Sequence, residues 1–191
     1  REALLRVGLE RFLEDGYDRA SIQQISAAAG MARGTFYLYF KDKYALFEAL
    51  MDRWHDGVMG VFEEVRLKMT NATTREEVGQ IYQEMALGLA RVGLANQQAC
   101  LLAFRQSRGA GEAGVGLRAR ELAILDAAEA FTLDVANRGL IEVSHPRLVC
   151  VVVFGAVERL FYEVMLGTDL GEIDKVGSQV VDLFAGALGF D

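Results

Sequence analysis

Apolar residues recur three and four positions apart along almost the whole chain, beginning with Leu4, Leu5, Leu9, Phe12 and Leu13 and continuing with Ile22, Ile25, Ala28 and Ala29. That spacing gathers apolar side chains on one face of a helix. Alternation with period two is strong only in Phe36-Tyr37-Leu38-Tyr39-Phe40, a segment too short and too isolated to pair as a sheet. An all-α fold is therefore predicted. The first helix stops at Asp15-Gly16. Ser21 and Gln24 form a capping-box pattern that opens a short second helix, which Gly30 ends. A third helix is expected over residues 33–40 and a long fourth over 42–69. Thr74 and Glu77, another capping-box pair, open a helix to about residue 92, and further helices fit 96–108, 117–138, 146–167 and 172–188, with "GAGEAGVG" at 109–116 read as a connector.

Two short helices joined by a glycine turn, the first apolar inward and the second bifacial, describe a helix-turn-helix. Phe36 and Phe40, with Leu38 at the edge, anchor the third helix on its neighbours. Arg33, Gly34, Thr35, Tyr37 and Tyr39 lie outside that stripe. Tyrosine and threonine hydroxyls and an arginine fork suit phosphates and base edges, and Gly34 lets the helix start approach a phosphate. A solvated face with a purely structural role is the alternative.

Composition narrows the class. The chain has 191 residues, is 52% hydrophobic and holds one proline and two cysteines, enough for a substantial core in one or two domains. Cys100 and Cys150 lack a CxxC spacing and read as buried free thiols of a reducing compartment. Net charge is −7, but the excess is uneven: residues 1–43 carry seven Lys/Arg against six Asp/Glu, so the rest of the chain carries the acidity. Only the N-terminal tip is suited to approach phosphate. Residues 148–166 form the most membrane-like run, yet Glu158, Arg159 and Glu163 interrupt it. With no signal-peptide pattern at its start, the protein is expected in the cytoplasm, away from membranes.

The stretch "SIQQISAAAGMARG" followed by "TFYLYFKDKYALFEAL" closely resembles the N-terminal DNA-binding domain of TetR-family transcriptional regulators. The resemblance implies a three-helix DNA-binding domain at 1–43 and a helical effector-binding and dimerisation domain at 44–191. It implies DNA contacts from Ser21, Gln23, Arg33, Gly34, Thr35, Tyr37, Tyr39 and Lys43: Tyr37 and Lys43 on phosphates, Gln23, Arg33, Thr35 and Tyr39 nearer base edges, and Ser21 as a cap that also donates to phosphate. It further implies a ligand that moves the fourth helix and, with it, the DNA-reading heads. One departure is Ala32, where the family pattern often has a capping serine, a loss of about 1 kcal/mol. The basic arm that precedes the first helix in many relatives is not in this sequence.

A recognition helix this short reads few base pairs, so a homodimer on a pseudo-palindromic operator of double-stranded DNA is expected. Residues 148–166 carry two apolar stripes. One, with Cys150, Phe154, Val157, Phe161 and Met165, suits the chain's own core; the other, with Val149, Val153, Ala156, Leu160 and Val164, suits a partner together with Val180 and Phe184 of the last helix. Phe62, Tyr82, Met85, Phe104, Phe131 and Tyr162 are candidates to line an apolar effector cavity. Gly109–Gly114 fits GxGxxG by letter, but a helix pattern precedes it where a dinucleotide site needs a strand. Asp52 and His55 lack the second pair that a metal bundle requires. No cofactor, metal or catalytic set is expected. The leading function is a ligand-responsive DNA-binding repressor; an all-helical enzyme or hydrophobic-ligand carrier with a non-DNA-binding N-terminal module is the rival.

Overall fold

The computed structural model describes residues 1–169 with Gly171, Lys175 and Gln179. Within these, eight helices follow one another: α1 (Glu2–Asp15), α2 (Ile22–Ala28), α3 (Arg33–Phe36), α4 (Lys43–Asn71), α5 (Arg75–Ala95), α6 (Gln97–Gln106), α7 (Glu112–Asn137) and α8 (Pro146–Met165). No described residue is in a strand. The expected helix over 172–188, with Val180 and Phe184, lies outside the described residues.

Local chemistry sets the boundaries. Ser21 Oγ accepts from the Gln24 amide at 3.2 Å while Gln24 Oε1 accepts from the Ser21 amide at 3.0 Å, so the capping box forms as the sequence predicts. Asp42 caps α4 by accepting from the Ala45 amide at 2.7 Å. Thr74 Oγ1 accepts from the Glu77 amide and opens α5. Gly30, at φ +69°, turns the chain out of α2 in the left-handed region that side chains disfavour. Two boundaries differ from expectation. The third helix closes at Phe36 instead of Phe40, with a turn over 37–39, and α7 begins at Glu112 inside the glycine-rich connector.

The chain forms two compact units, residues 1–56 with 96–120, and residues 57–95 with 121–191. In the first, Leu4, Phe12, Ile25, Phe36, Leu46, Phe47 and Met51 are fully or almost fully buried, each such large side chain contributing about 1.5–3 kcal/mol. Phe12, Tyr17 and Phe47 pack ring on ring at 5.1–6.0 Å between centroids. Leu102, Ala103 and Leu117 from α6 and α7 complete this core. In the second unit, Val58, Phe62, Val65 and Met69 form the buried stripe of α4, with Val78, Ile81 and Tyr82 of α5 and Ile124, Leu125, Phe131 and Val135 of α7 also buried. Arg138 donates to the Met69 and Ala72 carbonyls at the end of α4. Both cysteines are buried thiols outside any disulfide, and burial pushes the Cys100 thiol up to about 12.

A candidate nucleic-acid interface

The buried pair Phe36 and Phe40 holds the α3 region to the first unit's core, the two rings 5.7 Å apart. The Tyr37 ring stands edge-on against Phe36 at 5.5 Å. With those anchors turned inward, Arg33 and Gly34 are exposed, Thr35 is half-buried, and Tyr37 and Tyr39 are each 47% exposed. The backbone keeps this shape through amide bonds from Tyr39 and Phe40, both to the Phe36 carbonyl at 3.0 Å. The segment from Ala20 to Lys41 holds Arg33 and Lys41 and no carboxylate, so an approaching phosphate meets no like charge within it. Gln23 is exposed on α2. Ala32 provides no side-chain cap to α3.

Three residues differ from expectation. Leu38, expected at the edge of the anchoring stripe, is 79% exposed, because a residue two places from each of two inward anchors is turned to the far side from both. Ser21 is half-buried and its hydroxyl donates to Gln24 Oε1 at 2.7 Å, so its proton serves the cap. Lys43 is not an outward cation: its ammonium donates to the carbonyls of Tyr17, Asp18 and Ala20 at 2.6, 3.2 and 3.0 Å and lies 4.4 Å from the Tyr17 ring centroid. The Tyr17 hydroxyl in turn donates to Glu112 in the first turn of α7, and burial, with that carboxylate, raises its pKa well above the ordinary phenol value.

The expected effector residues divide. Phe62, Phe131 and Tyr82 form one buried cluster, with Phe131 5.9 and 6.1 Å from the other two rings. The Tyr82 hydroxyl is 3.0 Å from Thr132 Oγ1. Met85 and Tyr162 are half-buried in the same unit, whereas Phe104 belongs to the other. On α8, Val149, Val153, Ala156, Leu160 and Val164 are half-buried, and Leu148, Val151, Val152 and Leu166 are the exposed apolar residues. The open apolar edge thus starts one residue before the expected stripe. Asp52 binds Arg120 at 2.6 Å. The GxGxxG letters span the α6–α7 connection and the first turn of α7, and no described helix is long and apolar enough to cross a membrane.

Comparison with known proteins places this head. The family model for bacterial regulatory proteins of the tetR family matches residues 4–50. The chain is 47% identical over 51 residues to an uncharacterized HTH-type transcriptional regulator, YvdT, of Bacillus subtilis, covering 27% of this chain and 26% of that protein. It is 36% identical over 53 residues to the HTH-type transcriptional repressor BepR of Brucella suis, covering 28% and 25%. It thus spans about a quarter of the length of these curated relatives. Over nearly the full chain, the fold matches the fatty acid degradation regulator FadR of Bacillus halodurans, with a TM-score of 0.72 at 20% identity over 98% of this chain and 95% of that one. It also matches Thermus thermophilus FadR in complex with lauroyl-CoA, with a TM-score of 0.65 at 18% identity over 98% and 94%. The head, residues 4–50, is thus similar in sequence to bacterial regulatory proteins of the tetR family, and the all-helical fold of the chain is shared with the solved FadR structures.

Proposed function

We propose that the chain is a ligand-responsive DNA-binding transcriptional repressor that grips a pseudo-palindromic operator as a homodimer and lets go when a small hydrophobic effector binds. The observation that carries this reading is the carboxylate-free face on which Arg33, Gly34, Tyr37 and Tyr39 are exposed and Thr35 half-buried over the buried Phe36 and Phe40. Gln23 extends that face toward base edges, and Arg33 is able to bond a guanine bidentately. The open apolar edge of α8, Leu148, Val151 and Val152, supports pairing of two copies beside the stripe from Val149 to Val164. The aromatic cluster of Phe62, Tyr82 and Phe131 supports an apolar effector, and the lauroyl-CoA held by the Thermus thermophilus neighbour makes fatty acyl thioesters the first class to screen.

The test is selection of duplexes from a random library by the full chain, followed by equilibrium binding over a range of salt. The reading requires an enriched site with two half-sites about one helical turn apart, bound below micromolar Kd and weakening steeply as salt rises. Tyr37→Phe, which removes one hydroxyl and keeps the ring on Phe36, is expected to weaken operator binding by about tenfold. Absence of any enriched sequence would overturn the proposal in favour of the carrier or enzyme reading.

A further inference from the structure

The geometry points to Leu38 as a base-reading residue that takes the 5-methyl group of a thymine in the major groove, an inference that rests on the DNA-binding reading. Leu38 is 79% exposed, more than any other large hydrophobic side chain among the described residues. Its position is built. Phe36 and Phe40 are buried on either side of it, and the Leu38 amide bonds the Thr35 carbonyl at 3.3 Å while the next two amides bond the Phe36 carbonyl. In a helical turn a residue two places from each of two inward anchors is rotated to the far side from both, so Leu38 forms the crest. Tyr37 and Tyr39 flank it, each 47% exposed.

An isolated exposed leucine is ordinary on a protein surface; this one stands at the centre of a polar recognition face. The Tyr37 hydroxyl suits a phosphate at the wall of a groove and Tyr39 a base edge, which leaves the leucine between them as the apolar group facing the floor. An aliphatic chain donates and accepts nothing, so it gains there only from an apolar group. Among base edges in the major groove, the thymine methyl is that group. Leu38 would thus select T·A pairs at one position of each half-site by apolar burial, while Tyr37 holds the backbone.

Replacing each thymine of the selected operator in turn by deoxyuridine removes only the methyl, and binding is measured for the full-length wild type and for Leu38→Ala. One thymine position per half-site is expected at which uracil weakens the wild type by about fourfold per methyl, and at that position Leu38→Ala is indifferent to the exchange. Non-specific affinity and salt slope should be the same for both proteins. Leu38→Ala with wild-type operator affinity, or with the same uracil penalties as wild type, would overturn the assignment, and so would an equal loss on operator and non-specific DNA. Failure to recover any operator would instead remove the DNA-binding reading on which the assignment stands.

Discussion

Lys43 shows how a charge beside a recognition turn is used for construction. Its three carbonyl acceptors lie in the segment between α1 and α2, so the ammonium fastens the start of α4 to the entry of the helix-turn-helix. Lys43→Met keeps the aliphatic stem and is expected to lower stability by about 2 kcal/mol, the range for hydrogen bonds to a charged group, measured by urea denaturation. The slope of log affinity against log salt should not change; a slope smaller by about one per head would return Lys43 to a phosphate contact. His55 offers a second residue-scale test. Burial first, then the Arg120 charge, hold its pKa below the ordinary 6.5, against the pull of Asp56 and Asp52, and its Nδ1 is buried without a hydrogen-bond partner. Above about pH 7 both folded and unfolded states hold a neutral ring, and no stability depends on it. As pH falls through 6.5, the unfolded chain takes up the proton first, so stability declines until the folded value is passed. His55→Gln should flatten that decline in urea midpoints taken between about pH 7.5 and pH 5.

At the scale of elements, the capping box of α2, the anchors Phe36 and Phe40 and the Asp15-Gly16 stop were all legible, because each is local: a side chain answering a nearby amide, or two rings one turn apart. The end of α3 was not. A full helix over residues 33–40 and one turn of helix followed by a further turn place residues 36 and 40 on the same side, so apolar spacing does not tell them apart. Leu38 is a separate matter: two places from each anchor, it falls on the far side from both in either conformation. What distinguishes the two is nucleation: four helical residues with no side-chain cap at Ala32 form a weak element that depends on its anchors. Ala32→Ser, at a backbone conformation already extended as a cap requires (φ −66°, ψ 146°), is expected to raise stability by about 1 kcal/mol, read as a higher urea midpoint with unchanged slope.

At the scale of the molecule, the all-helical fold class and the burial of Phe36 and Phe40 beneath an exposed Arg33, Tyr37 and Tyr39 could be read from pattern, while the partition of the chain into units could not. The glycines of 109–116 suggest a loose connector, yet α7 begins among them. A Cβ on Gly114 would strike the backbone carbonyl of Gly109. Close packing selects glycine there, a tertiary demand that overrides helix propensity. Similarly, nothing in the spacing shows Lys43 reaching back to Tyr17, or Tyr17 reaching Glu112, because those bonds join distant parts of the chain. The placement of residues 96–120 in the same unit as 1–56 carries a consequence for anyone who would borrow the head. Ala99, Leu102, Ala103, Ala113 and Leu117 sit in its core, Arg105 donates to the Leu13 carbonyl at 3.2 Å, and Arg120 bonds Asp52. The N-terminal 56 residues expressed alone should show no cooperative thermal transition by circular dichroism, and a synthetic peptide of residues 96–120 should restore one in trans. The N-terminal head is thus no portable cassette to be cut out and grafted elsewhere: its foundation is laid by a stretch of polypeptide that arrives some forty residues later.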